Sequence, residues 1–166
     1  MKAFFEFCGL FMAHAIWSVS DGEIVVPFLA VGKVDGEKTM NRFVNDEQYE
    51  KAVEAARQSL DEQLPRANFA AAYFDGYFTF DSGERSDAVY VIGKCNGPGK
   101  IHEITIAIPY QRKESGRPFK VFKPKLIGKE HIDDAAIPDC FEAFWDGVDS
   151  HKAAASIWNA ALDQSK

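Results

Sequence analysis

The segment from Phe4 to Trp17 (FFEFCGLFMAHAIW) is almost continuously apolar and constrains the fold more than any other part of the chain. Glu6 interrupts the long apolar run that a secretion signal needs. A membrane-spanning helix needs about 20 apolar residues, whereas His14 and Ser18 end this run early. The segment therefore predicts a helix buried in a folded protein, and no membrane partner.

The polar side chains of this helix occupy only a narrow strip of its surface, so most of it has to be covered. Two arrangements satisfy this requirement: a central core helix, or a helix that contributes to a homodimer interface. In the second arrangement the interface contains Phe4, Phe7, Cys8, Phe11 and Met12. The 166 residues are enough for a single domain with its own core.

The three cysteines indicate the compartment. Cys8, Cys95 and Cys140 are an odd number, lie far apart and form no CxxC pair. This pattern is typical of reduced thiols that serve as small core residues, and it predicts a cytoplasmic protein. No spaced set of ligands predicts a metal site, and no glycine-rich loop leads into a helix to bind a nucleotide, so no cofactor is expected.

Hydrophobic periodicity predicts an α+β fold in which N-terminal, middle and C-terminal helices pack on an antiparallel sheet of about five to six strands. Residues 24–34 and 37–44 predict a hairpin that turns at Asp35-Gly36. The middle helix is predicted to begin after Asn45, a good N-cap, and to end at Pro65.

A meander of four strands follows. The alternation in residues 69–80 predicts one long strand with a bulge or kink at Gly76. Three more strands are predicted at 87–95, 101–111 and 119–127. The C-terminal helices are predicted at 139–146, where Gly147 is expected to break the first, and after Ser150, which is expected to cap the last.

The charge distribution gives the clearest functional hint. Between residues 110 and 130, seven basic residues face two acidic ones, so this segment carries +5 in a chain of net charge −6. It predicts a docking surface for an acidic or phosphate-bearing partner, with exposed tyrosines as anchors. The predicted contacts are Arg112, Lys113, Arg117, Lys120, Lys123, Lys125, Tyr73, Tyr77 and Tyr110.

Two alternatives explain the same basic segment without a partner. The acidic residues between 131 and 149 could neutralise it within the chain, or its lysines could protect an edge strand. Nucleic-acid binding through the basic segment ranks third among the functional hypotheses. The basic side chains do not form one stripe and the whole chain is acidic, and both features weaken it.

No catalytic signature is present, and no catalytic residue is assigned. The available Cys/His combinations have no characteristic surroundings, and Cys8 and His14 diverge on their helix. The sequence therefore favours a non-enzymatic protein-binding module, an adaptor or inhibitor, and a homodimer through the N-terminal helix is a further hypothesis. The alternative is a small-molecule-binding or hydrolytic protein with a pocket on the aromatic sheet face around Phe74, Phe78 and Phe80.

Overall fold

An antiparallel sheet organises the computed structural model, which describes residues 1–33, 35–45, 48–114 and 116–165. The strands are β1 (Phe28–Gly32), β2 (Lys38–Arg42), β3 (Phe69–Thr79), β4 (Arg85–Gly97), β5 (Lys100–Gln111), β6 (Lys120–Phe122), β7 (Lys125–Glu130) and β8 (Leu162–Asp163). Their order is β2-β1-β3-β4-β5-β6-β8, and β7 also pairs with β5. Among the strand pairs that the described residues form, only the two-residue contact between β6 and β8 is parallel. The class is α+β, as predicted.

Four α-helices cover this sheet: α1 (Lys2–Val19), α2 (Tyr49–Gln63), α3 (Ile137–Ser150) and α4 (Lys152–Ala161). α1 lies between one face of the sheet and the α3–α4 pair, so it is covered on most sides. α2 packs on the opposite face, against β1 and β3. The sheet is therefore covered on both faces, but by unequal amounts of helix.

The opening helix is a core helix of its own chain. Phe4, Phe7, Cys8 and Met12 are buried inside the single chain, and Phe11 is half-buried against the same core. These side chains contact the sheet and the α3–α4 pair rather than a surface, so they offer no interface to a second copy in this structure. The core-helix alternative accounts for their burial, while the predicted homodimer stays a prediction for a measurement of mass in solution.

Two glycines allow α1 and α3 to cross closely. A Cβ atom at Gly9 would overlap the backbone carbonyl of Phe144, and one at Gly147 would overlap that of Glu6. The prediction that Gly147 breaks the helix is wrong, because α3 continues through this residue to Ser150. The glycine is used for close approach of two backbones rather than for a turn.

The end of α3 differs from the prediction at a second point. Ser150 is the last residue of α3, and the N-cap of α4 is His151, whose ring accepts a hydrogen bond from the Ala154 N–H. The middle helix also begins later than predicted. Its N-cap is Gln48, and the Asn45 side chain accepts a hydrogen bond from the Gln48 N–H at 3.1 Å.

The long strand is confirmed, but the bulge at Gly76 is wrong. β3 and β4 pair in one unbroken register from Phe69↔Cys95 to Thr79↔Arg85. A Cβ at Gly76 would lie 3.2 Å from the Tyr90 ring, so the glycine makes room for an aromatic neighbour. The predicted last strand is also divided, because β6 ends before Lys123-Pro124 and β7 follows. Together with β8, this division brings the count to eight strands rather than five or six.

Candidate functional site

A cleft of about 880 Å³ lies between α2 and the outer half of β3. Its volume falls in the range of small-molecule sites, which is about 300–1,000 Å³. The loop before β1, the exposed side of α2, parts of β3 and β4, and the residue that follows β5 contribute to it. The lining residues are Ile24, Tyr49, Glu50, Val53, Glu54, Arg57, Gln58, Asp61, Phe74, Asp75, Gly76, Tyr77, Asp87 and Arg112.

The cleft forms because β1 is shorter than β3. β1 pairs with β3 only from Phe69 to Tyr73, which leaves the following residues of β3 without a strand on that side. Tyr49 of α2 takes over part of this role. Its hydroxyl accepts a hydrogen bond from the Asp75 N–H at 2.6 Å and donates one to the Val25 carbonyl at 3.0 Å.

Four polar side chains form a network in the wall of the cleft. The Tyr110 hydroxyl lies 3.0 Å from both carboxylate oxygens of Asp75. Arg112 donates from Nε to Asp87 at 2.9 Å and from its terminal nitrogen at 3.3 Å. The same terminal nitrogen lies 3.6 Å from Asp75. One guanidinium therefore joins two carboxylates, and this network is named the Asp75 network below.

Asp75 has the most perturbed carboxyl of this network. Its side chain is only 7% exposed, and burial raises the pKa of Asp75 to about 6, against the opposing effects of Tyr110 and Arg112. Burial also raises the pKa of Tyr110 and that of Tyr49. Near neutral pH, Asp75 thus carries a charge that its surroundings disfavour, which is characteristic of functional carboxyls.

The remaining lining is acidic at its mouth and aromatic on its floor. Glu50 and Glu54 are exposed on α2 and make no ion pair with any described residue, whereas Asp61 binds Lys94 at 2.7 Å. Phe74 stacks on Tyr90, with ring centroids 5.9 Å apart. Tyr77 is 61% exposed, and the Arg85 guanidinium lies 3.7 Å from the centre of its ring. Five carboxylates and two guanidinium groups therefore line the cleft.

The predicted basic docking surface loses part of its free charge to ion pairs within the chain, which involve Arg112 and Lys120. Arg112 belongs to the Asp75 network, Lys120 binds Asp163 at 2.8 Å, and the Lys125 ammonium lies 5.8 Å from the Phe80 ring. The cations of this surface that make no ion pair with any described residue are Lys113, Arg117, Lys123 and Lys125. Docking through them stays a prediction.

The neutralising partners are mostly not the predicted ones. Lys129 binds Asp134, in the acidic stretch from 131 to 149, at 3.0 Å. Asp87 and Asp163, however, come from β4 and β8. Internal neutralisation thus occurs through long-range pairing that the linear charge pattern does not reveal.

Two of the three predicted tyrosine anchors are wrong. Tyr73 and Tyr110 are fully buried, and only Tyr77 is exposed. The Tyr73 hydroxyl donates to the Cys8 carbonyl at 3.1 Å. The prediction assigned these rings to a solvent face of the sheet, but α1 covers that face.

The aromatic pocket predicted as an alternative is realised in part. Phe74 lines the cleft. Phe78 and Phe80 pack against each other instead, and Phe80 contacts the Phe122 ring at 5.9 Å between centroids. The sequence therefore indicated the correct strand, although it did not indicate Asp75, Asp87 or Tyr49. An aspartate inside an apolar strand was the available signal for Asp75.

The thiols behave as core residues, as predicted. All three are free and buried. Burial raises the pKa of Cys95 to about 11 and also raises the pKa of Cys8 and Cys140. A raised pKa keeps a thiol in its unreactive protonated form.

Comparisons with protein families, curated proteins and solved structures found no match to this chain. Over the described residues, no group of three or more His, Cys, Asp and Glu side chains is arranged to hold a metal ion. None of the helices they form is long and apolar enough to cross a membrane. The arguments on function therefore depend on the geometry of this chain alone.

Proposed function

We propose that the protein binds a small organic cation with an apolar body in the cleft between α2 and β3. The observation that carries this proposal is Asp75, a carboxyl only 7% exposed in the wall of the cleft. A buried carboxyl with a raised pKa lowers the stability of the folded protein at neutral pH. Stability alone would favour a neutral residue at this position. A loss of folding stability at a buried charged residue is typical of a site used for binding.

The charge of the lining favours a cation over an anion. Arg112 already contacts Asp75 and Asp87, so its charge is largely balanced within the wall. An anionic ligand would meet two further unpaired carboxylates, Glu50 and Glu54, and only one further cation, Arg57. A cation would instead gain from Glu50 and Glu54 and from the net negative charge of the lining, which attracts it from solution and orients it.

The floor of the cleft favours a ligand with a flat apolar part. Phe74 and Tyr77 present aromatic surface, and Ile24 and Val53 add aliphatic surface at the sides. Aromatic faces attract cations as well as apolar groups. The contact between Arg85 and the Tyr77 ring shows that one of these rings already holds a cation.

A matched set of three compounds tests the proposal: phenethylamine, its neutral counterpart phenethyl alcohol and the carboxylate hydrocinnamate. Titrations monitored by amide NMR shifts are expected to show saturable binding of the amine, centred on Gly76 and Tyr77, and weaker binding of the alcohol. Asp75→Asn and Glu54→Gln are expected to weaken amine binding about fivefold or more, as expected for the loss of a charge-assisted contact.

The control is Glu142→Gln, which removes an exposed carboxylate from α3, far from the cleft lining. It should bind the amine like the unaltered chain. Preferential binding of hydrocinnamate would contradict the predicted charge of the ligand, and the absence of any saturable shift at the cleft would contradict the ligand site. Conversion of a bound compound would extend the proposal to catalysis, with Asp75 as the proton-transfer group.

A further inference from the structure

Two histidines face each other outside the cleft, where α1 meets the junction of α3 and α4. His14 Nδ1 lies 3.3 Å from His151 Nε2, and the ring centroids are 5.5 Å apart. His151 is the single residue between the two C-terminal helices. The pair therefore connects the central helix of the core to the beginning of α4.

The backbone fixes the positions of the protons in this pair. The Ala154 N–H can only donate, so His151 Nδ1, at 3.2 Å, has to accept. Neutral His151 then carries its proton on Nε2 and donates it to His14 Nδ1. His14 carries its own proton on Nε2. Each ring nitrogen is thus either protonated or already accepting a hydrogen bond.

A first additional proton has two places to go, and each is occupied. On His151 Nδ1 it would face the Ala154 N–H and remove the cap of α4. On His14 Nδ1 it would face the proton on His151 Nε2 and break the bond between the rings. Protonation of the pair therefore breaks one of the two histidine side-chain bonds at the beginning of α4, and leaves the backbone bonds from the Ala154 and Ala155 N–H groups to the His151 carbonyl to hold this turn.

The groups around His14 do not stabilise its protonated form and so do not compensate for the lost hydrogen bond. The rings of Trp17 and Phe28 pack against His14 at 5.6 and 5.9 Å between centroids. Burial lowers the pKa of His14 first of all, and the neighbouring His151 and the cation Arg42 of β2 lower it further. No carboxylate among the described residues raises it.

We propose that the His14–His151 pair is a pH-sensitive latch that holds α4 at neutral pH and releases its N-terminal turn on acidification. This inference is independent of the ligand cleft. Since the pKa of His14 is lowered from its ordinary value of 6.5, its contribution to stability is complete above that value and is lost as the pH falls through the lower folded-state pKa.

Release of α4 would also weaken the pairing of β8 at the edge of the sheet. α4 continues directly into β8, where Leu162 pairs with Val121 of β6. In the same strand, Asp163 binds Lys120 at 2.8 Å. Loosening of α4 therefore frees the short parallel strand at this edge and exposes the β6 lysine, which belongs to the basic surface described above.

Amide hydrogen exchange at about pH 7.5 and about pH 5.5 tests the latch, after correction for intrinsic exchange rates. In the unaltered chain, protection of α4 and β8 is expected to fall about fivefold or more at the lower pH, the effect of losing an N-cap. His151→Asn should abolish this fall, because asparagine caps a helix well and does not titrate. His131→Asn, at an exposed histidine of the β7–α3 connection, should leave it unchanged.

Equal protection at the two pH values, or the same fall in His151→Asn, would overturn the proposal. A second measurement keeps the test decisive if a variant does not fold. Nitrogen–proton correlation spectra of the unaltered chain are expected to show both histidines protonated on Nε2 at neutral pH, and the Ala154 amide signal should move with the first titration of the pair. A different tautomer, or an Ala154 signal that does not respond, contradicts the latch.

Discussion

The two faces of the sheet differ in how completely they are covered. On the α1 face, three helices and long aromatic side chains exclude solvent from the middle of β3, β4 and β5. On the α2 face, a smaller cluster around Leu29, Leu60 and Ala72 covers only the first half of β3. The closed face stabilises the fold, and the candidate site lies at the edge of β3 beyond the end of β1, where the cover by α2 also ends.

The largest expected effect concerns the closed face. Gly147→Ala would place a Cβ on the backbone carbonyl of Glu6, which cannot move away as a side chain would. We expect a loss of about 3 kcal/mol or more in the free energy of unfolding, at the upper end for overpacking. Gly128→Ala is the matched control, because nothing lies within 4 Å of its added Cβ. Equal urea midpoints for both variants would show that α1 and α3 do not cross closely.

The half-covered face should respond less to truncation. Leu60 is 1% exposed in the cluster beneath α2, so Leu60→Ala is expected to cost about 2–3 kcal/mol. Val53→Ala, on the same helix but in the cleft lining, should cost less than about 1 kcal/mol. Urea denaturation measures both. A similar cost at the two positions would mean that α2 closes over the cleft in solution.

Asp75→Asn should change stability in the opposite direction. Because its pKa is raised to about 6 from 3.8, this carboxyl favours folding below about pH 4 and loses that contribution as the pH rises through 6. The variant should therefore be more stable than the unaltered chain by about 1–2 kcal/mol at pH 8, and the difference should vanish near pH 4. Asp81→Asn, in an exposed turn, is the control. Destabilisation at pH 8 would show that the network needs the charge for folding.

The smallest effect is a lack of reaction at the thiols. Cys8, Cys95 and Cys140 are buried and have raised pKa values. Iodoacetamide at about pH 8 should therefore modify little of the native protein, whereas all three thiols should react in urea. Mass spectrometry counts the adducts. A fast native adduct on Cys8 would show that the closed face opens.

Much of the fold follows from periodicity, because it reports how each element is covered. The narrow polar strip of α1 predicted a helix that is covered on most sides, although it did not distinguish cover by the same chain from cover by a second copy. The unbroken alternation of β3 predicted one long strand. Alternation cannot tell whether the second face of a strand is also covered, which is why Tyr73 and Tyr110 were assigned to solvent. The role of Gly147 was missed for a similar reason, since only the position of α1 shows that a small residue is needed there.

The candidate site was less predictable because its members are distant in sequence. Arg112 meets Asp87 across the β4–β5 hairpin and approaches Asp75 across two strands. A correct register for both hairpins would have placed them together, but the expected bulge at Gly76 would have shifted that register by one residue and reversed the faces. Tyr49 depends on where α2 packs, which no local pattern encodes.

The position of α1 has a consequence for how the chain is made. This helix leads the sequence, yet its most extensive partner is α3, at residues Ile137–Ser150. A nascent chain thus carries this apolar segment without its main cover until α3 has been synthesised. Folding that depends on such late, long-range contacts is slow and exposes aggregation-prone surface. Until α3 follows, α1 is therefore the segment that most needs protection by a chaperone.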